Sequence, residues 1–185
     1  MRRPIALLAT SIVVLLAAAC SAGQPSPSAA PLPTSASVSD AAFTLELGAP
    51  RTTWHADEPI TVTATLTWLG PDASVEVFGS GEGVVSFDLE QTDGPLDVGA
   101  AVTADCGPHA MTRGQAATIP FVKSGGYTAE DPVASAKASY LSDPQLRLPA
   151  GSYVVRAVLD GWIGTCGADG TEHRLSVDLP LTVTP

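Results

Sequence analysis

The chain has 185 residues, with 9 Lys and Arg against 19 Asp and Glu and a net charge of −10. Such a balance cannot neutralise a run of phosphates, so nucleic acid is excluded as a partner, and no basic patch is available for anionic headgroups. The length suits one domain of ordinary size with a proper core.

The N-terminus carries Arg2 and Arg3, then an apolar run from Ile5 to Ala19 broken only by Thr10 and Ser11. A basic head, a short apolar region and small residues form the layout of a secretory signal peptide. The run falls short of the roughly 20 residues a spanning helix needs. Leu16-Ala17-Ala18-Ala19-Cys20 resembles the lipobox of bacterial lipoproteins. That resemblance implies cleavage before Cys20, acylation of the Cys20 thiol and an extracytoplasmic chain anchored by lipid to the bacterial cell membrane. Two acyl chains suffice for stable anchoring. Residues 21–39 are almost wholly Ser, Ala and Pro, too poor in apolar surface to fold. The expected organisation is therefore a signal peptide over 1–19, the lipidated Cys20 with a disordered tether over 20–40, and a folded domain over 41–185.

From Ala42 the hydrophobic period becomes two. Phe43, Leu45 and Leu47 alternate with polar residues, and Gly48-Ala49-Pro50 ends the strand. Ile60, Val62, Ala64, Leu66 and Trp68 alternate with four threonines, a pleated face packed on one side. Strands are also predicted at Ser74–Phe78 and Val84–Gln91, with a turn at Thr92-Asp93-Gly94-Pro95. Leu96–Ala104 reads as a strand with a bulge at Gly99. Gln115–Val122 reads as another, which Pro120 assigns to a sheet edge. Val133–Leu141 has the composition of two helical turns. Val154–Trp162 and His173–Val183 close the chain as two long strands. Seven or eight strands separated by turn signals predict an all-β, antiparallel, immunoglobulin-like β-sandwich. Leu148-Pro149-Ala150-Gly151-Ser152-Tyr153 resembles a tyrosine corner, in which the hydroxyl bonds to backbone a few residues upstream.

Ile60–Trp68, the run Val75-Glu76-Val77-Phe78-Gly79-Ser80-Gly81-Glu82 and the segment from Val84 to Asp93-Gly94 together resemble the bacterial intracellular-proteinase-inhibitor (BsuPI-type) domain. The likeness extends to Gly151-Ser152-Tyr153. It implies an immunoglobulin-like sandwich and makes serine-protease inhibition an alternative activity.

Chemistry-bearing residues are sparse. The histidines His55, His109 and His173 have no zincin spacing, and there is no nucleophile elbow, phosphate loop or dinucleotide fingerprint. No enzymatic activity and no cofactor are expected. Cys106 and Cys166 form an even pair in an exported chain, which predicts a disulfide. A competing reading takes Cys106, His109 and Met111, with His55 upstream, as a copper set of the His₂Cys-plus-Met kind on a β-sandwich, a cupredoxin-like alternative. Asp88, Glu90, Asp93 and Asp97 surround one turn and read as a charged, solvated edge rather than a calcium site. Trp162, at the end of a strand beside glycines, is the candidate recognition residue. The function expected is a binding or scaffolding module of the cell envelope, with an unidentified envelope protein or ligand as partner.

Overall fold

A computed structural model describes residues 33–56 and 58–185. The expected signal peptide, Cys20 and the first part of the tether lie outside the described residues. Regular structure begins earlier than residue 41, because Ser35–Ser39 is strand β1. It pairs antiparallel with β2 (Phe43–Gly48), Ser37 opposite Glu46. Ala36 and Val38 turn toward the core while the three serines face outward, so two small apolar residues at period two are enough to dock the segment. The turn between them is held by Asp40, whose Oδ1 accepts the amide N–H of Ala42 at 2.7 Å and of Phe43 at 2.6 Å.

Strand β3 (Thr53–His55) buries Trp54. Strand β4 (Thr63–Trp68) carries the threonine ladder on its outer side. Ile60 and Val62, expected at its start, are buried in extended chain ahead of it, where Ile60 N–H donates to the Leu146 carbonyl. There follow β5 (Ser74–Gly79), β6 (Val85–Gln91), β7 (Asp97–Val98), β8 (Gly107–Thr112) and β9 (Ala116–Pro120). Helix α1 (Ala134–Ser142) precedes the long hairpin of β10 (Gly151–Ile163) and β11 (Thr171–Thr184).

One sheet has the order β1-β2-β4-β9, with Pro120 on an edge strand as the missing N–H requires. The other runs β3-β11-β10-β5-β8. Beside β10 the position is shared: β6 pairs with Tyr153–Leu159 and β5 with Trp162–Ile163, while β7 lies outside β6. The fold is an all-β sandwich. Its eleven strands among the described residues exceed the seven or eight expected. The additions, β1, β3 and β8, are short or sit at edges, where the hydrophobic signal is weakest, while the strand expected at Leu96–Ala104 is reduced to β7. The pairing is also not wholly antiparallel, since β3 runs parallel to β11.

The core lies between the sheets. Leu45, Leu47 and Leu66 meet Val155, Leu159, Leu179 and Leu181, all with almost no solvent exposure. Tyr153 is buried and its hydroxyl donates to the Pro149 carbonyl at 2.9 Å, four residues upstream, which is the expected tyrosine corner.

Candidate functional site

The outward face of β10 alternates Val154, Arg156, Val158, Asp160 and Trp162, because the opposite parity is committed to the core. Ser86 and Asp88 of β6 stand opposite Val158 and Arg156, and Arg174 of β11 opposite Asp160. After β7 the chain leaves the ladder at Gly99 and residues 100–106 cross this face as a strap. A cleft of about 370 Å³ lies between strap and sheet, at the small end of the roughly 300–1,000 Å³ range of ligand pockets.

Four fastenings hold the strap. Asp88 Oδ1 accepts the Ala100 amide at 2.8 Å. The Thr103 and Ser80 hydroxyls are 2.9 Å apart. Asp105 Oδ1 accepts the Gly81 amide at 3.0 Å and the Thr103 hydroxyl. The Thr103 hydroxyl and then the Gly81 N–H hold the Asp105 carboxyl below its ordinary value. The fourth is the Cys106–Cys166 disulfide, Cα atoms 6.2 Å apart, which ties the end of the strap to the β10–β11 turn. The β5–β6 turn, which receives two of the fastenings, needs its glycines. Gly83 sits at φ +132°, and a Cβ on Gly81 would fall 2.2 Å from Asp105 Oδ2. His109 on β8 steadies the same turn by donating from Nε2 to the Ser80 carbonyl at 2.7 Å.

Two cross-strand Arg–Asp pairs occupy this outer face, and they differ. Arg156 donates from Nε and Nη2 to both oxygens of Asp178, at 2.7 and 2.9 Å. Asp160 and Arg174, directly opposite each other four residues along β10, form no ion pair. Asp160 Oδ1 is shielded from solvent and has no hydrogen-bond partner among the described residues, a costly state for a carboxylate oxygen. Both Asp160 and Arg174 line the cleft, with Val84, Val158 and Trp162 as its less polar walls.

Trp162, the candidate recognition residue, is half-buried in the cleft, which the two disulfide cysteines also line. Cys106 and Cys166 are joined as expected. The copper set is not assembled. The Cys106 sulfur is spent in the disulfide, and His109 is engaged with Ser80. Met111 is buried, and His55 sits on the edge strand β3, its Nδ1 3.1 Å from Thr184 Oγ1. β3 pairs with Thr182–Thr184 and β5, which carries β8, pairs with Trp162–Ile163 at the other end of β10, so His55 and His109 lie at opposite ends of the sheet as well as on opposite edges. Among the described residues no three His, Cys, Asp or Glu side chains are grouped to hold a metal. Of the acidic residues around the turn, Asp93 accepts the Ser152 amide at 2.9 Å and Asp88 holds the strap, while Glu90 and Asp97 stand opposite each other on β6 and β7.

Sequence reasoning missed Asp160, Arg174 and the strap. The signal for the first two was the outward parity of β10 and β11, which places two arginine–aspartate pairs on one face. No family model matches the chain, and no curated protein matches it.

Proposed function

We propose that the chain is a non-enzymatic, lipid-anchored binding module of the bacterial cell envelope, and that the cleft under the strap is its working site. The observation that carries the binding role is Asp160, a carboxylate without a side-chain partner among the described residues and with one oxygen shielded from solvent, lining a cleft whose roof is fixed at both ends. A preformed concave site with a few polar groups and an aromatic wall is what small-ligand recognition requires. The anchor rests on the Arg2–Cys20 segment and on a disulfide suited to an oxidising compartment.

Two measurements test the two halves separately. Expressed in a bacterial host, the chain is expected to take up labelled fatty acid and sediment with membranes. Cys20→Ala is expected to lose the label; equal labelling of the variant refutes acylation at Cys20. For the cleft, a ligand-observed NMR screen of small fragments against the full chain in detergent micelles is expected to yield hits that Trp162→Ala abolishes. Hits indifferent to Trp162, or none, refute the cleft as the working site.

A further inference from the structure

We infer that the cleft takes a small zwitterion, its ammonium group on Asp160 and its carboxylate on Arg174; this rests on the cleft being the working site proposed above. The contrast between the two arginine–aspartate pairs leads there. Arg156 and Asp178 satisfy each other bidentately, whereas Asp160 and Arg174, facing each other from the same two strands, remain open at the cleft. Arg174 is exposed and makes no ion pair among the described residues. Asp160 keeps an oxygen shielded from water without a donor. A ligand that completes both must bring a donor and an acceptor a short distance apart, in the reverse order of the two side chains.

Ammonium and carboxylate on one small molecule fit better than neutral hydroxyls, because charge-assisted hydrogen bonds are roughly twice as strong as neutral ones. A guanidinium further recognises carboxylate through a fork of parallel bonds. Trp162 offers its ring to the ammonium end. Val84 and Val158 supply apolar surface for a compact side chain, and about 370 Å³ admits an amino acid or a dipeptide rather than a polymer.

The test uses the full chain in detergent micelles. The twenty standard amino acids and alanyl-alanine are screened singly by thermal shift, and hits are titrated by calorimetry. Propylamine, propionate and glucose are the single-charge and neutral comparisons. At least one zwitterion is expected to bind, with propylamine and propionate weaker by about tenfold or more. Asp160→Asn and Arg174→Gln are each expected to weaken it by a similar factor, while Arg156→Gln at the closed pair leaves it unchanged. Because Arg174 is exposed, its variant remains informative even if Asp160→Asn does not fold. Failure of every zwitterion to bind overturns the inference. So does binding indifferent to both substitutions, or a preference for glucose. If fragment hits dependent on Trp162 persist in those cases, the cleft remains a binding site and only the ligand class is wrong. If they are absent too, both fail.

Discussion

Single residues fix two chain reversals here, and each has a measurable signature. Tyr153 donates to Pro149 from a buried position, and burial, then the charge of Asp93, raises its phenol above the ordinary value. Tyr153→Phe keeps the ring and removes the bond, so urea unfolding is expected to show a loss of about 1 kcal/mol. Asp40 caps the β1–β2 turn. Burial pushes its carboxyl up, but the Phe43 and Ala42 amides and then His173 outweigh burial and leave it below 3.8. A lowered folded value means that the unfolded chain takes up the proton first. The Asp40 contribution is therefore complete above the ordinary carboxylate range and fades as pH falls through the folded value. The stability gap between wild type and Asp40→Asn is expected to narrow from neutral pH to about pH 3; an unchanged gap would show that the charge is irrelevant. Tyr153 was legible in advance because Leu148–Tyr153 carries a local pattern. Asp160 was not, since nothing in its immediate sequence distinguishes it from Asp178; only the register with Arg174 and the strap above it do.

Among the elements, the strap is the least regular and the most consequential. Alternation of Leu96, Val98, Ala100, Val102 and Ala104 predicts a strand, yet only Asp97 and Val98 join a ladder. Leu96 and Val98 are buried; beyond Gly99 the chain crosses the face of a sheet instead of lining its edge. Period two cannot tell these outcomes apart. Strand β8 was hidden for a related reason: its partner β5 lies some thirty residues upstream, and its Cys-x-x-His-x-Met start resembles a ligand set. The disulfide closes a separation of 60 residues, for which the chain-entropy model gives roughly 4 kcal/mol. A Cys106→Ser/Cys166→Ser chain is expected to lose stability of that order, and the Ala100 amide to exchange faster with solvent. Unchanged exchange would mean that the remaining three fastenings hold the strap alone.

For the whole molecule, the two-layer architecture was legible because Ile60–Trp68, Val154–Trp162 and His173–Val183 alternate over long stretches and each commits one face to a shared core. The first strand was not, because Ser-Ala-Ser-Val-Ser has too little apolar surface to announce one. β1 nevertheless covers the edge of β2, whose own sequence is markedly hydrophobic. A chain beginning at Asp40 is expected to melt lower and to self-associate more than one beginning at Pro33, through exposed β2 backbone. Thermal melts with light scattering compare the two directly.

The placement of β1 also has a mechanical consequence. The chain enters the sandwich at Ser35, level with Gly48, whereas the far end of β1 meets Asp40, His173 and the pole that carries the disulfide. Were the N-terminus held at a membrane and a ligand held in the cleft, as proposed above, the pull between them would run along the axis of β1. Its hydrogen bonds to β2 would then be loaded together in shear rather than peeled one after another.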